Sequence, residues 1–221
     1  MSILCIRNLS FAYDRRTPVI RDLSLDFEEG KSYAIIGRSG AGKTTLLSMM
    51  AGLLRPVKGE ILYNEQNISK INQFVYRSKH VGVVFQSYNL LPKMTAVENV
   101  VLSMDIAKVR HVNKKATAKS LLQRVGLTEI EMDRRVLLLS GGQQQRVAIA
   151  RALSFNPNVI LADEPTGNLD VYTTNEIMIL LNQLAHEYHK CVIMVTHSPM
   201  VADMTDQVYD LSVLNKKFEI Q

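Results

Sequence analysis

The stretch Gly37-Arg38-Ser39-Gly40-Ala41-Gly42-Lys43-Thr44 constrains this chain more than any other, because of what flanks it. Before it lies Ser32–Ile36, short and dominated by apolar residues, the mark of a buried strand; after it the helix-forming segment Lys43–Ala51 begins. The eight residues fit the pattern G-x-x-x-x-G-K-[ST], for which strand before and helix after is the required context. Glycines let the backbone wrap closely around phosphates, with amide N–H groups pointing inward at a helix N-terminus. Lys43 is expected to reach the β- and γ-phosphates of ATP, and the Thr44 hydroxyl to ligate Mg²⁺. The expected nucleotide-contacting set here is Gly37, Arg38, Ser39, Gly40, Ala41, Gly42, Lys43, Thr44 and Thr45, with backbone rather than side chain mattering at Arg38.

A loop that binds phosphate needs a partner that handles metal and water. Val159-Ile160-Leu161-Ala162-Asp163-Glu164 supplies one: the apolar run buries a strand and leaves two carboxylates at its C-terminal end, where open α/β sheets bind ligands. Asp163 is expected to hold Mg²⁺, directly or through water, and Glu164 to polarise the attacking water as general base. Alone, an Asp-Glu pair after a strand reads as a solvated loop; with the first motif, the chemical reading dominates.

The remaining pattern is that of a layered α/β protein. Strand-like runs cover Ser2–Asn8, Ile20–Phe27, Gly59–Tyr63, Val81–Phe85 and Val192–Val195, and Val208–Ile220 reads as a terminal hairpin. Helical periodicity covers Thr95–Arg124, with Val97, Val100, Val101 and Met104 at three- and four-residue steps, then Gly142–Ser154 and Asn175–Tyr188. Strands alternating with helices imply a largely parallel sheet covered on both faces. A chain of 221 residues, 47% hydrophobic, has enough apolar mass for a real core. The net charge of +5 is modest and does not argue for nucleic acid. No run approaches the ~20 apolar residues of a membrane-spanning helix, and the N-terminus does not read as a secretory signal. Cys5 and Cys191 sit in apolar runs, as small hydrophobes of a reducing compartment rather than a disulfide pair.

Leu139-Ser140-Gly141-Gly142-Gln143 is the most specific signal, a serine and two glycines opening a helix and so a second anion-binding N-terminus in one chain. With this motif the sequence resembles the ABC (ATP-binding cassette) ATPases over essentially its whole length and in the family's motif order. The resemblance implies an α/β P-loop NTPase with a RecA-like parallel-sheet core, an N-terminal antiparallel β layer and an inserted helical subdomain. Residues 1–86 and 155–221 would form the ATP-binding core and 87–154 the helical part. It implies a homodimer in the ATP-bound state, in which Ser140, Gly141, Gly142 and Gln143 contact the γ-phosphate held by the opposite subunit. It further implies that Tyr13 stacks on adenine, that Gln86 senses Mg²⁺ and attacking water, that Asn168-Leu169-Asp170 crosses the dimer interface, and that His197 contacts the γ-phosphate.

Finer resemblance narrows the choice. Phe85-Gln86-Ser87-Tyr88-Asn89-Leu90-Leu91-Pro92, Gln143-Gln144-Gln145-Arg146 and Ala162–Asp170 look like the lipoprotein-release and macrolide-export group. Members pair with a separately encoded integral membrane permease, placing this chain in the cytoplasm at the inner face of the membrane. The same stretches occur in ATPases that regulate cell-envelope or cell-division complexes without transport. In the family a short helix of the membrane partner sits beside the loop after Gln86, so Ser87–Met94, with Tyr88, Leu90 and Leu91, is the expected docking stretch. DNA-maintenance ABC ATPases interrupt the fold with a coiled coil or zinc insertion, and neither heptads nor ligand spacing occur here. A catalytically idle regulator would lack Glu164 or His197, and both are present.

Overall fold

The computed structural model describes residues 2–14, 18–110 and 112–215. In chain order its strands are β1 (Ser2–Ala12), β2 (Pro18–Glu28), β3 (Ser32–Ile36), β4 (Lys58–Tyr63), β5 (Gln66–Asn67), β6 (Val81–Val84), β7 (Val159–Asp163), β8 (Cys191–Val195) and β9 (Gln207–Asp210). They form two sheets. One is antiparallel, ordered β2-β1-β4-β5; the other, ordered β6-β7-β8-β3-β9, is parallel throughout.

Alternation along the parallel strands divides the interior in two. On β7, Ile160 and Ala162 face one cluster while Val159 and Leu161 face the other; on β8, Val192 and Met194 oppose Cys191, Ile193 and Val195. A strand buried on both faces has no room for polar residues, which is why these segments read as continuous apolar runs. The first cluster lies against α3 (Ala96–Ile106), α4 (Lys114–Arg124), α6 (Gly141–Leu153) and α7 (Val171–His186). The second fills the space under the antiparallel layer and around α1 (Lys43–Met50). Truncating a fully buried residue of this sheet, such as Leu161 to Ala, costs ~2–5 kcal/mol.

Several expectations are corrected. The helical run predicted over Thr95–Arg124 breaks: Lys108 is left-handed (φ 56°), and the Asn113 side chain caps α4 by accepting from the Ala116 amide. α7 starts at Val171, four residues before the expected Asn175, because Asp170 caps it through the Thr173 amide. The terminal hairpin is not formed over its described part. β9 pairs parallel with β3, then Asp210 caps a short helix, Leu211–Leu214, whose Leu211 is buried. Asn215 anchors that turn by donating to the Val19 and Ala41 carbonyls; residues 216–220 of the expected hairpin lie outside the described residues. The helices α2 (Gln73–Lys79), α5 (Glu129–Met132) and α8 (Pro199–Asp203) were not anticipated. Cys191 is buried but Cys5 only half so, and both are free thiols. No helix among the described residues is long and apolar enough to cross a membrane.

Candidate functional site

Parallel pairing sets the C-terminal ends of β6, β7, β8 and β3 side by side, and most of the candidate site residues follow them. The phosphate loop follows β3, Gln86 follows β6, Asp163 ends β7 with Glu164 next, and His197 comes just after β8. Tyr13, one residue past β1, arrives from the antiparallel layer. Together Tyr13, Ser39, Gly40, Gly42, Lys43, Thr44, Thr45, Gln86, Asp163, Glu164 and His197 line an open cleft of about 840 Å³.

The loop's backbone favours glycine. Gly40 and Gly42 are left-handed, at φ 79° and 92°. A Cβ at Gly42 would sit 2.9 Å from Val19 Cγ1, whereas one at Gly40 would meet no protein atom within 4 Å, since that position faces the cleft. Gly42 caps α1 without any side-chain hydrogen bond, leaving the first-turn amides to an acceptor from outside, as an anion cradle requires. Lys43 is 5% exposed; its Nζ donates to the Gly37 carbonyl (2.9 Å) and the Arg38 carbonyl (3.2 Å) and lies 3.4 Å from His197 Nδ1. Burial pushes its ammonium pKa down, with Glu164 and Asp163 acting against that.

Asp163 Oδ1 accepts from the Thr44 hydroxyl at 3.3 Å. Burial pushes this carboxyl up from its ordinary range, opposed by Thr44, Lys43 and His197. The Thr44 hydroxyl and the desolvated Asp163 carboxylate are hard oxygen donors of the kind a small divalent cation takes, so the residues present fit Mg²⁺. Glu164 is held in the left-handed region, φ 46°, with its amide donating to the Val195 carbonyl. Such a conformation costs ~1–3 kcal/mol and persists only where the surroundings impose it. The Glu164 Oε2 accepts from the His197 amide (3.3 Å), while Oε1, 3.4 Å from His197 Nε2, is buried without a hydrogen-bond donor.

Other predicted residues are placed elsewhere. Gly37 and Arg38 line a neighbouring hollow of about 720 Å³, and the Arg38 amide donates to the Ser212 hydroxyl. Ala41 packs against the core under the antiparallel layer. Ser140, Gly141, Gly142 and Gln143 do not line the cleft at all. Ser140 instead caps α6: its hydroxyl accepts from the Gln143 amide (3.3 Å), and Gln143 Oε1 accepts from the Ser140 amide (2.8 Å). Of the expected docking stretch, Tyr88 and Leu90 pack against the helical core and Leu91 is 45% exposed. Val19, Gly167 and Ser198 line the cleft without having been singled out. Gly167 and Ser198 adjoin recognised motifs; nothing local marks Val19, which reaches the cleft through sheet pairing.

Comparison with known proteins agrees with this geometry. Residues 20–167 match the family model described as ABC transporter. The uncharacterized ABC transporter ATP-binding protein YclH of Bacillus subtilis (strain 168) is 46% identical over 207 residues, covering 93% of this chain and 92% of that protein. The lipoprotein-releasing system ATP-binding protein LolD of Saccharophagus degradans is 41% identical over 208 residues, covering 92% and 91%. Among solved structures, the dimeric post-hydrolysis state of the ATP-binding cassette MJ0796, bound to ADP and Pi, superposes with a TM-score of 0.84 at 34% identity, covering 94% of this chain and 93% of that one. The chain therefore belongs to the ABC transporter family, as an ATP-binding ATPase domain with a P-loop NTPase fold.

Proposed function

We propose that two copies of this chain close head to tail over two ATP molecules, hydrolyse them with Mg²⁺, and so drive a separate membrane subunit. The observation that carries this reading is the division of the motifs: one chain gathers Tyr13, Lys43, Thr44, Gln86, Asp163, Glu164 and His197 around one cleft, while Ser140–Gln143 lie outside it. Ser140 caps its own helix as acceptor, which leaves its hydroxyl proton free for an outside acceptor. The second copy's γ-phosphate is that acceptor.

In this reading residues 1–86 and 155–221 are the ATP-binding core and 87–154 the helical lobe that presents Ser140. Tyr13 stacks on adenine, Ser39–Thr45 hold the phosphates, and Lys43 exchanges its carbonyl partners for β- and γ-phosphate oxygens. Thr44 and Asp163 would hold Mg²⁺, with Gln86 lining the same cleft, and the ion would supply charge neutralisation at the phosphates. Glu164, at the strained end of β7, aligns water and takes its proton, and His197 contacts the γ-phosphate while its amide fixes Glu164.

The relative named for lipoprotein release, with the stretches around Gln86 and Asp163–Asp170, supports an exporter-type or force-transmitting system. The chain would work at the cytoplasmic face through its membrane partner, and Leu91 would remain as the exposed anchor of the expected docking stretch. Mixing tests the dimer. Lys43→Ala and Ser140→Arg homodimers should each be inactive, whereas a mixed dimer places both lesions in one site and restores turnover at the other. Absence of any rescue in verified mixed dimers counts against the division. Affinity capture from solubilised membranes should return a polytopic membrane protein; salt-sensitive DNA binding in its place would favour a DNA-maintenance role.

A further inference from the structure

Just beyond Gln86 the chain takes two consecutive left-handed residues, Tyr88 (φ 59°) and Asn89 (φ 49°). Left-handed pairs of non-glycine residues need support from outside the segment. Arg151, in the last turn of α6, provides it: its guanidinium donates to the Tyr88 carbonyl through Nη2 (2.8 Å) and to the Asn89 carbonyl through Nη1. Burial pushes this guanidinium's pKa down, and no carboxylate acts the other way. Its acceptors are therefore the loop carbonyls rather than an acid. The Arg151 carbonyl in turn accepts from Ser103 of α3.

The other end of α6 meets the same loop. The Tyr88 ring packs on the helical core, and its hydroxyl lies so near Gly141 that a Cβ there would approach it to 3.1 Å. One residue of the loop thus touches the N-terminus of α6 while the adjoining backbone is clasped at its C-terminus. Over a helix of 13 residues, this fixes the loop relative to the whole rod.

We infer that Arg151 is a positioning residue, clasping the Tyr88–Asn89 backbone to α6 so that Gln86 and Ser140 move as one body when the dimer closes. It does not line the nucleotide cleft. The inference rests on the reading of Ser140 as a contact to the second copy's ATP.

The test is an ATP titration of dimer formation in a Glu164→Gln background, which removes the proposed base and keeps binding. Adding Arg151→Met should raise the ATP concentration for half-dimerisation by about tenfold, the scale of losing hydrogen bonds to a charged donor. Arg151→Lys keeps the charge but not the rigid two-carbonyl geometry, and should fall between. Tyr88→Phe should move the midpoint the same way, by less. ATP binding to the single subunit, measured with Ser140→Arg blocking dimerisation, should not change. Midpoints unchanged in folded Arg151→Met and Arg151→Lys overturn the inference. So does a loss of single-subunit ATP binding in step with dimerisation, which would make Arg151 merely structural. If Arg151→Met does not fold, Arg151→Lys decides on the same readouts. ATP failing to dimerise the Glu164→Gln parent at all would remove the shared-site reading, and this one with it; a parent that dimerises beside insensitive Arg151 variants removes only this one.

Discussion

The loop before α1 and the loop before α6 are both glycine-bearing turns that open a helix, yet they are finished differently. Before α1, Gly42 offers no side chain to the first-turn amides, and a buried lysine stands beside them with two carboxylates across the cleft. Before α6, Ser140 and Gln143 satisfy each other reciprocally, and Gln143 also donates to Glu131. A helix N-terminus left open and paired with a cation holds a phosphate by itself. One that caps itself is stable without a ligand and adds a finishing contact. On the proposed reading, this difference lets one chain hold ATP while cleavage waits for a second copy.

The comparison breaks first at the loop before α1. Lys43→Ala should abolish turnover and weaken ATP binding, because no other lysine or arginine lines the cleft among the described residues. Glu164→Gln should keep ATP binding and lose turnover by ~10²–10⁴-fold, as for removal of a general base. Filter binding beside steady-state hydrolysis separates the two, and near-normal turnover by Glu164→Gln would remove its assigned role.

A smaller effect sharpens the electrostatic side. Burial raises the folded-state pKa of Asp163, so the folded protein binds the proton more readily than the unfolded chain does. Stability therefore falls as pH rises through the carboxylate range and stays lower above it. Asp163→Asn should melt higher than the parent at neutral pH without nucleotide or metal, on the order of 2 °C. The gain should vanish at pH low enough to protonate Asp163 in both states, while Mg²⁺-dependent hydrolysis is lost throughout. Differential scanning calorimetry across pH checks the sign; equal melting at neutral pH would mean the carboxylate is not strained by burial.

The smallest effect belongs to Tyr13, which is 69% exposed and held by its hydroxyl near Thr45 Oγ1 (3.1 Å) and its ring edge-on to Phe11. Removing one base-stacking face costs ~1 kcal/mol, so Tyr13→Ala should raise KM for ATP about fivefold with kcat unchanged. A fall in kcat at constant KM would contradict a stacking role.

How much of this was legible in the sequence depends on how local the cause is. The strand, glycine loop and helix around Gly37–Thr44 are written in consecutive residues, as are the buried strand and carboxylates at Val159–Glu164. Gln86 and His197 came from motif order alone, since nothing near them says that β6 and β8 flank β7. Helix Gln73–Lys79 escaped because only Tyr76 and Ser78 are buried, too few for a periodic signal, and its Asn72 cap looks like any turn. The terminal hairpin failed because Val208–Tyr209 reads as one arm of a pair, while β3 of the parallel sheet claims it instead. Arg151 was invisible as a clasp: its partners are backbone carbonyls 62 and 63 residues away, and no side-chain pattern encodes those.

The most direct test of the shared site is the structure of the Glu164→Gln protein with ATP and Mg²⁺. The account predicts a two-fold dimer in which the Ser140 hydroxyl of each copy lies within hydrogen-bond distance, about 3 Å, of the γ-phosphate held by the other copy's Lys43. A Ser140 contacting the ATP bound by its own chain, or a dimer whose Ser140 faces no phosphate, would contradict it.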